Sequence, residues 1–185
     1  YDNLNHRTET RLFSGPADAG PADLVVASAT YNVMGLKTSE TDLHGHTTNF
    51  VYDGLYRVVE TDLPFTHAFA DTPFTQAKLV VQYDLVSNKV SETDANGHVS
   101  TYAYDKIYRM VARTDAANNT ITYGYDAASN KLREENHTTG LVTVYTYDNL
   151  NRKVSMVQTV PLDETGAQPA IYTSGYAYDD AHNAI

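Results

Sequence analysis

Hydrophobic and polar positions alternate over short stretches along the whole chain. In the stretch V-S-T-Y-A-Y-D at residues 99–105, one set of alternate residues is V, T and A, and the other is S, Y and Y. A period of two residues predicts a β-strand, because successive side chains of a strand point to opposite faces of a sheet. No segment shows a sustained apolar period of 3.6 residues over the length of a helix, so the pattern predicts an all-β chain.

The end of this stretch, an aromatic residue followed after one position by Tyr and Asp, recurs along the chain. Full copies lie at residues 50–53, 102–105, 123–126, 145–148 and 176–179, and partial copies lie at 1–2, 31–32 and 81–84. The anchoring Tyr residues are numbers 1, 31, 52, 83, 104, 125, 147 and 178, with spacings of 30, 21, 31, 21, 21, 22 and 31 residues. This regularity predicts one array of tandem repeats of about 21 residues over 1–185, incomplete at both ends.

Each repeat is predicted to contain two strands and two turns. The first turn begins at the anchor Asp, whose carboxylate can bond backbone groups two residues further on. The second turn carries Asn96-Gly97, Asn118-Asn119 or Thr139-Gly140. Asn-Gly between two strand-like segments is typical of a hairpin, because both residues tolerate a positive φ.

Three repeats are longer than the others, and each insertion falls at the second turn. The inserted segments are approximately residues 13–29, 63–79 and 160–175, and they contain all six Pro residues of the chain. Because strands that run up and down place successive second turns on one edge, the long loops are expected at that edge alone, where repeat proteins often carry binding elements. Residues 24–27 and 79–82 are instead expected to lengthen the flanking strands.

Composition and charge argue against several classes of function. The net charge is −10, which argues against nucleic acid and anionic membranes as partners. The absence of Cys excludes disulfides and Cys-ligated zinc, and no apolar run approaches the 18 residues of a membrane span. No P-loop, dinucleotide-binding or nucleophile motif is present, so neither an enzyme nor a cofactor is predicted.

The 15 Tyr residues, with only five Phe and no Trp, favour a sheet with partly wet faces. In residues 99–105 both faces of the predicted strand combine polar and apolar side chains, and neither face is apolar enough for a thick two-layer core. The pattern therefore favours one curved antiparallel sheet over a sandwich.

The combined motif resembles the YD-repeat or RHS-repeat family. The pattern is an aromatic-x-Tyr-Asp group, then a basic residue, then Thr-Asp and a second Tyr-x-Tyr, and the resemblance covers nearly all of residues 1–185. The best match is the series Tyr104-Asp105, Arg109, Thr114-Asp115 and Tyr123-x-Tyr125. The Gly that commonly precedes the basic position is missing, and the residues at or near this place are Asn88, Tyr108, Asn130 and Asn151. Asn can supply the positive φ that Gly would otherwise provide here.

The resemblance implies a segment of a hollow shell, formed by one long antiparallel β-ribbon that spirals. Such shells occur in bacterial polymorphic toxins, insecticidal toxin complexes and teneurins, and the bacterial shells enclose a C-terminal toxic domain that is released by self-cleavage. The Asp-Pro-x-Gly cleavage signature does not appear in this sequence. The expected function is therefore a non-enzymatic structural segment of a secreted or cell-surface protein that encloses or presents another domain. Its expected partners are the rest of the parent polypeptide and an enclosed C-terminal domain.

The alternative function is a carbohydrate- or receptor-binding module that uses the long-loop edge or exposed Tyr rows to hold surface glycans. The paired Tyr residues could stack on sugars, or they could form packing ladders between strands. The pairs are 102 with 104, 123 with 125, 145 with 147, and 176 with 178. Likewise, the carboxylates of the anchor aspartates could act as catalytic acids or as binding ligands, although their fixed position at the start of a turn favours turn capping. These residues are Asp2, Asp53, Asp84, Asp105, Asp126, Asp148 and Asp179.

Four further groups are weak candidates. Asp94-x-Asn96-Gly97 has part of a calcium loop but fits a hairpin turn better. His44 and His46 would share a strand face as half of a metal site, or be solvated turn residues. Asp163-Glu164 could supply a glycosidase carboxylate or be a solvated loop. Asn118 and Asn136 each begin a glycosylation sequon, which matters only in a eukaryotic host. No catalytic, metal or cofactor residue is predicted.

Overall fold

The computed structural model describes residues 1–13, 23–64, 77–161 and 170–179. These residues form fourteen strands and no helix, so no helix in the described part could cross a membrane. The strands are β1 (Glu9–Phe13), β2 (Asp23–Tyr31), β3 (Lys37–Thr41), β4 (Thr47–Tyr52), β5 (Val58–Asp62), β6 (Lys78–Tyr83), β7 (Lys89–Thr93), β8 (Val99–Tyr104), β9 (Met110–Thr114), β10 (Thr120–Tyr125), β11 (Lys131–Asn136), β12 (Val142–Tyr147), β13 (Lys153–Val160) and β14 (Ala170–Gly175).

The chain divides into two compact units, whose residues are Tyr1–Gln82 with Glu92–His98, and Tyr83–Ser91 with Val99–Ile185. In the first unit, β1 to β6 pair antiparallel, each with the next strand in the chain. In the second unit, β8 to β14 do the same. Strand β7 contributes residues to both units. The predicted all-β fold of tandem antiparallel hairpins is confirmed.

The inserted segments fall at the predicted places, between β1 and β2, β5 and β6, and β13 and β14. Most of their residues, including Pro16, Pro21, Pro73 and Pro169, lie outside the described part of the chain. The predicted strand extensions are confirmed, because residues 24–27 belong to β2 and residues 79–82 belong to β6.

The described residues form no hydrophobic core. Among the described residues no hydrophobic side chain is fully buried, and the only buried polar one is Thr143, with 6% of its surface exposed. The strands are therefore held mainly by ladder hydrogen bonds and by half-buried contacts between neighbouring strands. This agrees with the predicted single layer with wet faces.

The two faces of β8 differ in exposure. In β8 the exposed residues include Thr101 and Ala103, whereas Tyr102 and Tyr104 are half-buried. Thr101 lies opposite Thr114, and Ala103 lies opposite Ala112, so this face carries small side chains on both strands. Each face of β8 still combines polar and apolar side chains, with Thr101 beside Ala103 on one face and Ser100 beside Tyr102 on the other.

A register shift precedes each anchor Tyr in five of the described hairpins. In the pairing of β8 with β9, Ala103 opposes Ala112 but Tyr104 opposes Met110, so Val111 is the extra residue of a β-bulge. The same shift occurs before Tyr31, Tyr52, Tyr125 and Tyr147.

The anchor Tyr of one repeat binds the backbone where the preceding repeat has its bulge. The hydroxyl of Tyr125 donates to the carbonyl oxygen of Met110 at 2.8 Å. Equivalent bonds join Tyr52 to Lys37, Tyr104 to Lys89, Tyr147 to Lys131 and Tyr178 to Lys153, at 2.8 to 3.0 Å. Because a bulge disrupts the ladder locally, this hydroxyl supplies a hydrogen bond at the point where pairing is irregular. The repeated Tyr thus ties each hairpin to the one before it.

Candidate functional site

The anchor Asp organises a five-residue turn, called here the Tyr-Asp turn. At Asp105, the backbone N–H donates to the carbonyl of Arg109 at 2.9 Å, and the N–H of Tyr108 donates to the carbonyl of Asp105 at 3.0 Å. Carboxylate Oδ1 accepts from the N–H groups of Ile107 and Arg109, both at 3.0 Å. Oδ2 accepts from Arg109 Nε at 2.7 Å. Both carboxylate oxygens are therefore used inside the turn.

The same arrangement recurs at the other described anchors. The backbone N–H four residues on donates to Oδ1, and the side chain of that residue donates to Oδ2. The Asp residues are Asp2, Asp53, Asp84, Asp126 and Asp148, and their partners are His6, Arg57, Asn88, Asn130 and Arg152. The turn that would follow Asp179 lies beyond the described residues. The predicted capping role is confirmed for the six described turns.

The second turns use this geometry as well, which the sequence pattern did not indicate. Asp94 Oδ1 accepts from the N–H groups of Asn96 and His98, and only Gly97 in this turn has a positive φ, of 82°. It is therefore a five-residue turn from Asp94 to His98, and not a two-residue Asn-Gly hairpin. Asp42 and Asp115 begin equivalent turns.

The left-handed position of the Tyr-Asp turn is filled mostly by residues other than Gly. Tyr108 and Asn151 have φ values of 67° and 60°, as their place in the motif suggested. The prediction for Asn88 and Asn130 is off by one residue, since Ser87 (72°) and Ser129 (69°) hold this position. The two Asn residues come next, and their amide nitrogens bond the capping carboxylates at 2.8 Å.

The electrostatics of the turns do not suit acid catalysis. The hydrogen bond from Asn130 lowers the pKa of the Asp126 carboxyl, and the hydrogen bond from the backbone N–H of Arg152 lowers that of Asp148. A catalytic general acid near neutral pH needs the opposite shift, which comes from burial without such donors. These carboxylates are therefore held ionised as structural acceptors.

The paired Tyr residues form a ladder in which cations cover their rings. The Arg109 guanidinium lies 4.7 Å from the ring centroid of Tyr125, and Arg152 lies at the same distance from Tyr178. Lys131 Nζ lies 5.0 Å from the ring of Tyr145, and Lys153 Nζ lies 4.3 Å from that of Tyr176 and 5.9 Å from that of Tyr145. Cation–π contacts of this kind hold strands together and occupy ring faces that a sugar would need.

The two candidate His residues lie in a turn and do not share a strand face. The turn begins at Asp42, and Nδ1 of His46 is 3.1 Å from Oδ2 of Asp42. The rings of His44 and His46 are 5.9 Å apart and tilted by 46°. In the described part of the chain, no group of three His, Asp or Glu side chains is placed to hold a metal ion.

The remaining candidates have structural places or fall outside the described residues. Asp94 begins a turn between two strands, as predicted in preference to a calcium loop, and its carboxylate caps that turn. Asn118 has a φ of 62° within a second turn, and Oδ1 of Asn136 accepts from the N–H groups of residues 138 and 139. Asp163-Glu164 is not among the described residues.

The first unit contains an open groove of about 530 Å³ that no sequence motif indicated. Its polar lining includes an ion pair between Lys37 and Glu40, 2.8 Å apart, together with Tyr31 and Thr48. His6 stacks on Tyr31 with ring centroids 4.7 Å apart. The groove arises where residues of β1 to β4 meet across the sheet, so only strand register could reveal it.

Comparison with known proteins agrees with the repeat and the fold. Residues 83–120 match the family described as RHS Repeat. No curated protein matches the sequence.

Several solved structures share the fold at low sequence identity. A Photorhabdus luminescens Tc holotoxin pore matches with a TM-score of 0.66 and 18% identity, over 89% of this chain and 9% of that chain. The crystal structure of TcdB2-TccC3-TEV matches with a TM-score of 0.67 and 17% identity, over 96% and 10%. The crystal structure of TcdB2-TccC3 gives 0.65 and 16%, over 95% and 10%. This chain thus spans about a tenth of the length of those chains.

The family match includes the Asp84, Asp94, Asp105 and Asp115 turns and the bulge at Val111. The structural matches cover nearly all of the chain. Residues 83–120 thus match an RHS repeat, and the resemblance first drawn from the Tyr-Asp register is confirmed.

Proposed function

We propose that this chain is a non-enzymatic structural segment of a YD/RHS-repeat β-shell that encloses or presents another domain. The observation that supports this most is the use of the repeated polar groups. The anchor Asp carboxylates cap turns, and the anchor Tyr hydroxyls bond the neighbouring hairpin. The groups that recur with the 21-residue period thus maintain the sheet.

The fold match to toxin-complex structures supports the same proposal. One of the matched structures is a Tc holotoxin pore, and this match supports a place for the chain in a secreted or cell-surface protein of that type. Its partners are the remainder of the parent polypeptide and an enclosed C-terminal domain. No catalytic role is assigned to any of the described residues.

The test is protection of the rest of the polypeptide from a protease. The parent polypeptide is treated with protease as wild type and as the double variant Asp105→Ala, Asp126→Ala, which removes two turn caps. We expect regions outside the repeats to be cut slowly in the wild type and faster in the variant. Equal rates of cutting would contradict an enclosing role, and the double variant Asp105→Asn, Asp126→Asn is the control that retains a capping oxygen.

The alternative function is glycan binding. For this function, the groove of the first unit is a better candidate site than the Tyr ladder. Thr48, Glu40 and Lys37 present hydrogen-bonding groups of the kind that sugar hydroxyls use, and Tyr31 adds an aromatic ring. A glycan array with wild type and Glu40→Gln tests this role. Binding that is lost in Glu40→Gln but kept in Tyr145→Leu would favour the groove, and no binding to any glycan would remove the alternative.

A further inference from the structure

The second unit contains a pocket of about 240 Å³, called here the Arg113 pocket. The residues that line it include Arg113, Asp115, Asn119, Ile121, Asn136 and Thr138. They belong to β9, β10 and β11 and to the turns that follow β9 and β11. Because these three strands pair directly with one another inside one unit, the strand register fixes the relative places of the lining residues.

Strand register sets Arg113 and Asn136 on either side of Ile121. Ile121 of β10 lies opposite Arg113 of β9 and opposite Asn136 of β11, so the three residues form one row on one face of the sheet. With a strand spacing of about 4.8 Å, the two outer residues of this row are roughly 10 Å apart. A small ligand can therefore contact both polar side chains while it covers the apolar one.

Arg113 departs from the pattern of the other repeats. The residues at this place, nine positions after the anchor Tyr, are Glu40, Glu92 and Glu134 in three of them. Glu40 pairs with Lys37 at 2.8 Å, and Glu134 pairs with Lys131 at 2.6 Å. In the repeat of Arg113 the position of the Lys is held by Met110, so this pair has no counterpart. The Arg113 guanidinium makes no hydrogen bond or ion pair with another described residue, and the structural ladder does not explain its charge.

Other polar groups in the pocket also have hydrogen-bonding capacity to spare. Oδ1 of Asn136 accepts from the N–H groups of Thr138 and Thr139, both at 3.0 Å, while its amide nitrogen keeps two donors that no described residue accepts. The amide nitrogen of Asn119 donates to Oδ2 of Asp115 at 2.8 Å, while its oxygen remains an acceptor. The pocket thus offers one cation, further donors and one acceptor.

The charges of the pocket favour a monoanion that also carries hydroxyl groups. A guanidinium binds a carboxylate through two parallel hydrogen bonds, and the Asn119 oxygen can accept a hydrogen bond from a hydroxyl. Asp115 disfavours a doubly charged anion such as phosphate, because its carboxylate lines the same pocket. Both oxygens of Asp115 accept hydrogen bonds within their own turn, so this carboxylate does not neutralise Arg113 by direct pairing.

The volume limits the ligand to a small one, because pockets for drug-sized molecules begin at about 300 Å³. We propose that the Arg113 pocket binds the carboxylate and a nearby hydroxyl group of a small hydroxy acid or of one acidic sugar unit. The site is separate from the groove of the first unit and does not depend on the shell role. With an acidic sugar as its ligand, it would extend the glycan-binding alternative.

NMR of the Arg Nε–H groups tests the proposal at the pocket itself. The ¹⁵N-labelled chain is titrated with glucuronate and with lactate, which represent the two sources of the hydroxy-carboxylate group, and the tighter of the two identifies the source. Glucose, which lacks the carboxylate, and propionate, which lacks the hydroxyl, are the matched controls. We expect a saturable shift of the Arg113 signal with at least one hydroxy acid, at roughly tenfold or more lower concentration than with either control.

Two substitutions test the assignment of the site. Arg113→Glu introduces the residue of the other repeats and should abolish binding. Asn136→Asp keeps the oxygen that caps the turn but removes the amide donors, and it should weaken binding roughly tenfold or more. Arg133→Gln is the control, because Arg133 pairs with Glu135 at 2.8 Å and does not line the pocket, so binding should be unchanged.

Circular dichroism should show the same strand content in all three variants, so that a loss of binding is not a loss of fold. The proposal would be overturned if no ligand gave a saturable shift, or if propionate or phosphate bound as tightly as the hydroxy acids. Equal loss of binding in Arg133→Gln and Arg113→Glu would overturn it as well. Each of these outcomes would leave the enclosing role to its own protease test.

Discussion

The hydroxyl of Tyr125 donates a 2.8 Å hydrogen bond to the backbone carbonyl of Met110, and the guanidinium of Arg109 lies over the same ring. Burial raises the pKa of the Tyr125 phenol, so its hydroxyl keeps the proton that it donates. Arg109 also donates to the carbonyl of Asp126 at 2.7 Å. Tyr125 and Arg109 together thus join the bulge and the turn of one hairpin to the turn of the next.

Removal of this hydroxyl should loosen the hairpin of β9 and β10. Tyr125→Phe keeps the ring and its cation contact but leaves the Met110 carbonyl without its donor, which should cost about 0.5–1.5 kcal/mol of unfolding free energy. Urea unfolding measures the change, and amide exchange of β9 and β10 locates it. Tyr108→Phe is the control, because Tyr108 is 59% exposed at a turn tip and should have almost no effect. An equal effect of both substitutions would contradict the proposed tie.

The capping carboxylate should tolerate Asn but not Ala. Asn32 already holds this position, and its side-chain oxygen accepts from the N–H groups of Met34 and Leu36, both at 3.0 Å. Asp105→Asn keeps an acceptor for both backbone N–H groups and loses only the surface pair with Arg109, whereas Asp105→Ala leaves both N–H groups without this acceptor and should lower the unfolding temperature more. Thermal unfolding compares the two variants, and equal losses would show that the charge, and not the acceptor, supports the turn.

Stability should fall in acid because these carboxyls are ionised in the fold. The pKa values of Asp53, Asp126 and Asp148 lie below the ordinary value of 3.8. A lowered folded pKa means that the unfolded chain binds protons first as the pH falls. The contribution is therefore complete above about pH 4 and is lost as the pH drops through the folded pKa values.

Urea unfolding at a series of pH values tests this dependence. The midpoint should decrease below about pH 4, and the decrease should be smaller in the double variant Asp126→Asn, Asp148→Asn, which has two fewer of these carboxyls. A midpoint that changes equally with pH in both proteins would contradict the assignment.

Substitutions of two Gly residues in turns can separate the effect of a positive φ on stability from the effect of steric contact. An added Cβ would meet no atom within 4 Å at either Gly97 or Gly54, but only Gly97 has a positive φ, of 82°. Gly97→Ala should destabilise by about 1–2 kcal/mol, because an L side chain disfavours this conformation. Gly54→Ala should be neutral or stabilising, because it restricts the unfolded chain. Thermal unfolding of the two variants distinguishes these results, and the reverse order would be inconsistent with the turn geometry.

Sequence alone predicted the strands and the role of the anchor Asp because both follow from local rules. The alternation of hydrophobic and polar positions predicted the strands. The fixed position of Asp105 after the anchor Tyr predicted that its carboxylate caps a turn. The bulge at Val111 and the left-handed Ser87 and Ser129 were not predicted, because a bulge depends on pairing between strands and Ser gives no signal for a positive φ.

The candidate sites were harder to predict than the fold. The Tyr rows could have been sugar platforms, and only the position of Lys131, Lys153 and Arg109 over the rings favours the ladder. The groove of the first unit depends on residues far apart in sequence, such as Thr8 and Thr48, which no periodic pattern brings together.

The bond from each anchor Tyr to the preceding hairpin has a consequence for how such a chain can change in length. Excision of residues 105–125 would join Tyr104 directly to Asp126, and Tyr104 would keep its bond to Lys89 while Tyr147 kept its bond to Lys131. Gain or loss of one whole period therefore leaves every surviving tie intact. A gene that duplicates or loses 63 nucleotides, three for each of about 21 residues, can lengthen or shorten this protein without redesigning its neighbours.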